Sequence, residues 1–158
     1  MRNGAIVGLH ISRGGVPKHA IEKARVTSLG LEGDKQKHLK FHGGPQRALC
    51  LFSRERMDAL REEGHPIAPG TTGENVLISG LDWSEIRIGS RLELGNVQVE
   101  ITDYAAPCQQ IAASFKDGNF MRISQKKHAG WSRLYVRVLA EGELCVGDEA
   151  RLLRDELC

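Results

Sequence analysis

Aromatic residues make up only 5% of this 158-residue chain, and no apolar run approaches the length of a membrane span. Set against 18 glycines, the shortage of aromatics points to many tight turns between short elements, a pattern of small β-barrels and mixed folds rather than helical bundles. The N-terminus, Met1-Arg2-Asn3-Gly4, enters an alternating segment directly, without the apolar core and small-residue cleavage site of a signal peptide, so a cytoplasmic location and no membrane partner are expected. The four cysteines, at 50, 108, 145 and 158, are widely spaced with no Cys-x-x-Cys pair; neither a disulfide framework nor a zinc knuckle is indicated. There is no internal repeat, no low-complexity segment and no regular strand-helix alternation of the kind a doubly wound sheet needs.

What is present is ordinary globular material, 41% hydrophobic and 27% charged, long enough to bury one good core, and a single domain over residues 1–158 is expected. The net charge of +2 hides an asymmetry: residues 16–47 hold seven Lys/Arg against three acids, whereas residues 141–158 hold two Arg against six acids. A basic face can serve nucleic acid, but no aromatic residues interleave here as base-stacking platforms, and the cluster sits beside glycines; a small phosphorylated ligand fits better than nucleic acid. A solvated basic face with no ligand gives the same charge pattern.

Alternation predicts a strand over Ala5–Ile11, a weak one over Ala24–Leu31 and a short buried one over Ala48–Phe52. Ser53 caps a helix over Arg54–Glu63, with Met57 and Leu60 on one side and Gly64 as the stop. A loop containing Pro69-Gly70-Thr71-Thr72-Gly73 leads into a strand over Glu74–Ile78, and two strictly alternating runs flank Gly95-Asn96, the clearest hairpin signal in the chain. Phe115 to Gly130 reads as a long mobile loop, Tyr135–Leu139 as a strand and Leu144–Leu153 as a last strand interrupted at Gly147-Asp148. Seven or so strands with two or three helices make a mainly β chain, a closed or partly open β-barrel with a few short helices.

Cys108 is the most informative residue. Ala106-Pro107-Cys108-Gln109-Gln110-Ile111 looks like the opening of a helix with Pro107 at the first position, which would place the thiol in the first turn among unpaired N–H donors, a setting that favours thiolate. A thiolate can ligate a soft metal, carry sulfur as a persulfide or attack an electrophile; a buried, inert cysteine is the plain alternative. Three further clusters stand beside it. Gly33-Asp34-Lys35-Gln36 and His42-Gly43-Gly44 with Arg47 form a glycine-rich basic stretch able to meet a phosphate, or a pair of tight turns. Gly73-Glu74-Asn75 could aim a carboxylate and an amide at a polar ligand, or make an ordinary turn. In His128-Ala129-Gly130-Trp131 the indole reads as core rather than as a ligand platform.

Taken in order, Gly33-Asp34 with Gln36, His42-Gly43-Gly44 with Arg47-Ala48, Gly73-Glu74-Asn75, Gly80-Leu81, Ile88-Gly89, Leu94-Gly95, Pro107-Cys108, Gly130-Trp131, Arg137-Val138 and Gly147-Asp148 resemble the MOSC domain, named for the C-terminus of molybdenum cofactor sulfurases. The resemblance runs from about Ile6 to Leu153 and is of the stand-alone bacterial type. It implies a β-barrel and a cysteine, here Cys108, that supplies a thiolate to the molybdenum of a pterin dithiolene cofactor. Lys35, Lys37, Lys40, His42, Arg47 and the Lys126-Lys127-His128 segment are the candidates for the cofactor's phosphate; Asp34, Gln36, Glu74 and Asn75 fall on the family's polar positions, with Gly43 and Gly44 as close-approach glycines. Relatives with this cofactor reduce N-hydroxylated compounds, which implies a small N-hydroxylated substrate and an electron-donor protein. Eukaryotic reductases of this kind carry an extra N-terminal barrel region that helps cover the cofactor; here a homodimer partner or the 115–130 loop would have to do so. The other function the resemblance implies is sulfur delivery, with a persulfide on Cys108 loaded by a separate cysteine desulfurase; pyridoxal phosphate is not expected in this chain.

Overall fold

The computed structural model describes residues 3–35 and 44–154. The hairpin at Gly95-Asn96 shows how sequence becomes barrel wall: β7 (Arg91–Leu94) pairs antiparallel with β8 (Val97–Ala105), Leu94 opposite Val97. Gly95 takes a positive φ of 56°, which a tight two-residue connection requires. Leu92, Leu94, Val97, Val99 and Ile101 all turn inward and are buried, while Arg91, Glu93 and Glu100 alternate with them outward.

In chain order the strands are β1 (Asn3–Ile11), β2 (His19–Ile21), β3 (Lys23–Thr27), β4 (Gly30–Leu31), β5 (Leu49–Ser53), β6 (Val76–Ser79), β7, β8, β9 (Arg133–Ala140), β10 (Gly142–Cys145) and β11 (Glu149–Leu153), with one α-helix, α1 (Arg54–Glu62), between β5 and β6. Seven of them close a barrel in the order β11-β7-β8-β9-β5-β6-β1, sealed by the β1–β11 pairing; β2 extends β1, and β10-β3-β4 form a small separate sheet. Every pairing is antiparallel except β5–β6. A parallel pair cannot be joined by a tight turn, so the chain crosses over through α1 and the 63–75 segment. The mainly β barrel expected from the sequence is the fold, and no helix among the described residues is long and apolar enough to cross a membrane.

This crossover explains why β5 reads as an unbroken apolar run. Leu49 and Leu51 point into the barrel, and Phe52 points outward into a second core made with Leu77, Met57, Leu60, Ile67, Ile111, Phe115 and Ile123. A strand covered on both faces has no polar side to show. α1 forms as its signals require: Ser53 Oγ accepts the Arg56 N–H at 3.1 Å, Met57 and Leu60 are buried, and Gly64 takes a φ of 99° just past the end.

Four expectations need correction. The weak strand over Ala24–Leu31 is a two-strand hairpin, β3 and β4, because the chain turns at Ser28-Leu29 and Gly30, at φ 122°, opens the returning strand opposite Thr27. The last strand is two strands in different sheets: Gly147, at φ 99°, redirects the chain from β10 in the small sheet to β11 in the barrel. The helix expected from Pro107 is a six-residue 3-10 turn over Gln109–Ser114, with Cys108 in extended conformation (φ −143°, ψ 175°) as its N-cap and Pro107 outside it. The 115–130 segment is packed: it holds two further 3-10 turns, Lys116–Gly118 and Phe120–Ile123, and its apolar Phe115 and Ile123 are buried in the second core, which the polar composition had masked. Trp131 closes that layer between the guanidinium groups of Arg56 and Arg122, at 4.5 and 4.1 Å from its ring centre.

Packing, rather than capping, holds α1 to the wall. Ser53→Ala is predicted to cost about 1 kcal/mol and Leu60→Ala about 3 kcal/mol, read as shifts of the urea unfolding midpoint at unchanged slope; equal costs would show that the cap and the second core weigh alike.

Candidate functional site

Asp34 sits where three chain segments meet beside the β1–β5–β6 wall. Its Oδ1 accepts the Ser12 N–H at 2.9 Å and the Lys18 ammonium at 2.8 Å; its Oδ2 accepts Lys18 at 2.7 Å and the Asn75 Nδ2 amide at 2.9 Å. Asn75 is fully buried and spans the gap to the barrel, donating also to the His10 carbonyl at 3.2 Å and accepting the Cys50 N–H at 2.9 Å. Glu74, equally buried, accepts the Gly70 N–H and the Thr72 hydroxyl, both at 2.6 Å, and so folds the 70–74 turn onto itself. Its carboxylate also lies 3.7 Å from His10 Nδ1. Burial of that imidazole lowers its pKa, and Glu74 only partly opposes the shift, so His10 is held neutral at physiological pH. Gly70 must lack a side chain: a Cβ there would overlap the Lys18 carbonyl oxygen, while the Lys18 N–H donates to the Gly70 carbonyl at 2.9 Å.

This network backs a small cleft with a cavity volume of about 40 Å³, open to solvent, on the outer face of the barrel wall. Lys18, Cys50, Thr72, Cys108, Gln110, Arg133 and Tyr135 supply its chemistry, and Gly15, Val16, Gly73 and Ile111 also line it. Cys50 and Tyr135 are register partners on β5 and β9 and so share a face. Their surroundings suppress ionisation: burial pushes the Cys50 thiol up to about 11, and burial likewise raises the Tyr135 phenol above its ordinary range. Cys108 differs, being half-buried at the point where the chain leaves β8. Arg133 is buried, at 6% exposure, and its Nη1 donates to the Thr72 carbonyl at 2.7 Å. The cleft thus presents one accessible thiol, a second thiol held protonated, and two buried cations.

The residues singled out in the sequence are distributed unevenly about this cleft. Asp34, Glu74 and Asn75 stand behind its wall, with their polar atoms taken up by protein partners as described above. Lys35 is exposed, its N–H bonded to the Ser12 carbonyl at 2.8 Å. Gly44 turns the chain at φ 87° into the 3-10 turn Pro45–Arg47. Arg47 reaches the rim, its guanidinium 5.3 Å from the Tyr135 ring centre and 3.6 Å from an Asp103 carboxylate oxygen. Lys127 and His128 are exposed and do not line the Cys108 cleft; the neighbouring Gln125, Ala129 and Gly130 border a different hollow with Trp83 and Tyr104. Gln36, Lys37, Lys40, His42 and Gly43 lie outside the described residues.

Sequence reading passed over Lys18, Thr72, Arg133 and Tyr135 as cleft residues, and took Cys50 for core. Arg133 carried a signal: it is a lone charge at the head of the otherwise apolar run Leu134–Val136, where a solvated strand start and a buried cation look the same. Cys50 is both core and cleft lining, because the wall at β5 is covered on both faces.

Could this donor set accept a thiolate-ligated cofactor? Among the described residues no three His, Cys, Asp or Glu side chains converge as a metal-ligand cluster. A metal at Cys108 would therefore bring its other ligands with it, as a dithiolene-chelated metal does, and the chain would add one thiolate and a cationic surround. The accessible thiol in the same cleft as the Arg133 guanidinium fits that requirement.

The family model of the MOSC domain matches residues 38–151, and the chain belongs to this family. That family is associated with molybdenum cofactor binding. The chain is 31% identical over 123 residues to YflK of Bacillus subtilis (strain 168) and 32% identical over 124 residues to YiiM of Escherichia coli (strain K12), covering 77% and 75% of itself but 55% and 54% of those proteins. It thus spans about half the length of the curated relatives it matches. Among solved structures, the YUAD protein of Bacillus subtilis superposes with a TM-score of 0.75 at 22% identity, covering 95% of this chain and 96% of that one. YiiM from Geobacillus stearothermophilus gives 0.72 at 21% identity, covering 96% and 75%; both likenesses are of fold.

Removing one side of a buried ion pair strands the other charge. Asp34→Ala, which leaves Lys18 uncompensated, is predicted to cost about 4 kcal/mol, whereas Lys18→Met combined with Asp34→Leu recovers more than half of that loss. Chemical denaturation of the three proteins measures it; a double variant no better than the single one would show that Asp34 acts through Ser12 and Asn75 instead.

Proposed function

We propose that the chain binds a molybdenum-pterin cofactor in this cleft through Cys108 and reduces N-hydroxylated compounds. The contrast between two thiols in one cleft carries the reading: Cys50 is held protonated by burial, so the half-buried Cys108 is the thiol able to serve as ligand. When bound, the cofactor would supply the two-electron abstraction of oxygen from the N–O bond.

The chain's own residues divide the remaining work. Arg133 ties the Thr72 carbonyl to those of Ala105 and Ala106, fixing the strand end from which Cys108 projects. The extended backbone at Cys108 points the residue out of β8 before the 109–114 turn begins, so the thiol is presented rather than drawn into a helix. Arg47 on the rim would favour an anionic group on the cofactor. Gly73 leaves room in the lining, since a Cβ there would press on Val16 Cγ1 at 3.0 Å. Tyr135 keeps its proton at Oη over the working pH range, because burial raises its pKa, and it can offer a donor to a polar substrate group.

The metal content of protein purified from a cofactor-producing host, compared between wild type and Cys108→Ala, tests the proposal. Near-stoichiometric molybdenum in wild type, at least tenfold less in the variant, and turnover of an N-hydroxylated substrate only by wild type are the expected results. No metal in either protein, together with gain of one sulfur atom on Cys108 after exposure to a cysteine desulfurase, would replace the reductase by a sulfur carrier.

A further inference from the structure

Among the described residues two cations line the Cys108 cleft, and they differ in how their charge is met. The Lys18 ammonium is clamped by both Asp34 oxygens. Arg133 meets no carboxylate among the described residues: its bonds run to the carbonyl oxygens of Thr72 at 2.7 Å, Ala105 at 3.4 Å and Ala106 at 3.5 Å. The last two are long for N–H to oxygen bonds, and the buried Nε has no hydrogen-bond partner among the described residues. Carbonyl dipoles stabilise a guanidinium only in part, and a buried charge without a counter-charge is disfavoured unless something supplies one. If Arg133 served only as a staple between the 70–75 turn and the end of β8, a neutral donor would bond Thr72 without that penalty.

The surroundings of Arg133 narrow what can supply the charge. Glu74, the buried acid of that turn, is satisfied by Gly70 and Thr72, and the described residues lining the cleft include no Asp or Glu. The lining does contain the accessible Cys108 and, at Gly73, a position without a side chain. A planar guanidinium matches the two oxygens of a carboxylate, or of a phosphate, in parallel hydrogen bonds.

We propose that Arg133 anchors an oxyanion, a carboxylate or phosphate group of a molecule bound in the Cys108 cleft, and so selects ligands that carry such a group beside the thiol. This deepens the reading of the cleft as the working site, but its test does not need a loaded cofactor. Apo protein is alkylated with iodoacetate and, separately, with neutral iodoacetamide, and the rate at Cys108 is followed by peptide mass spectrometry, which separates it from the other cysteines. In wild type iodoacetate is expected to be favoured, with a rate that saturates and that inorganic phosphate inhibits. Arg133→Gln is expected to lower the iodoacetate-to-iodoacetamide ratio about tenfold and to abolish saturation, the loss of one charge-assisted pair of hydrogen bonds; Arg133→Lys retains most of the ratio. A ratio unchanged in Arg133→Gln overturns the proposal, and because a disturbed fold changes both reagents' rates together, the ratio is insensitive to it. The oxyanion's source is read in protein from a cofactor-producing host. Loss of molybdenum in Arg133→Gln assigns the group to the cofactor, whereas unchanged molybdenum with lost preference for anionic over neutral N-hydroxylated substrates assigns it to the substrate. A protein that holds no molybdenum yet keeps the alkylation preference refutes the proposed function and leaves the anion site standing.

Discussion

The Asp34 carboxylate, shared by the Lys18 ammonium, the Ser12 amide and the Asn75 side chain, is the constraint on which the candidate site depends. None of the three segments it joins is a regular element at that point, and none belongs to the barrel ladder. The carboxylate adds side-chain bonds to the backbone contacts already present, the Lys18 N–H to the Gly70 carbonyl and the Asn75 N–H to the Cys50 carbonyl. It so draws the 12–18 connection and residue 34 onto the turn that is anchored on β5. Asn75 continues the chain of bonds to the Cys50 N–H, so the polar network ends on the strand that lines the cleft. A buried ion pair of this kind contributes little net stability against an apolar replacement. Its role here is geometric: it joins the 12–18 connection, residue 34 and Asn75 behind the cleft.

Once the wall is set, the difference between the two cleft thiols follows from position alone. Cys50 sits within β5, between the barrel core and the covering layer, where desolvation opposes ionisation. Cys108 lies beyond the end of β8, where the backbone is still extended and one side remains open. The same barrel therefore holds one sulfur inert and presents another. Arg133, at the start of β9, reaches back to both the 72 turn and the β8 end, which places a cation beside the presented sulfur.

The barrel was legible from the sequence where periodicity and turn chemistry act locally. The Gly95-Asn96 hairpin, the Ser53-capped helix and the β5 run each carry their signal within ten residues. Where the outcome depends on distant partners, the signal was ambiguous. Gly147 marks a turn, but nothing nearby says that the strands on either side of it enter different sheets. Phe115 and Ile123 are isolated apolar residues in a polar stretch, and only the second core, assembled from α1 and β6, gives them a role. Of the site, Cys108 was legible because an extended run, a proline and a thiol occur together. Asp34, Glu74 and Asn75 stood out as motif residues, yet whether such a motif faces a ligand or supports the wall is decided by burial, which no local pattern encodes. Lys18 gave no distinctive local pattern, and the lone charge of Arg133 at the head of an apolar run left its burial open, since a buried cation and a solvated one are the same letter.

The central claim is that Cys108, and not Cys50, gives its sulfur to a metal held in this cleft. X-ray absorption at the molybdenum edge counts the sulfur neighbours of the metal in protein from a cofactor-producing host. The account predicts one more sulfur ligand in wild type and in Cys50→Ala than in Cys108→Ser or in free cofactor. Equal sulfur counts in wild type and Cys108→Ser, with metal still bound, would contradict it.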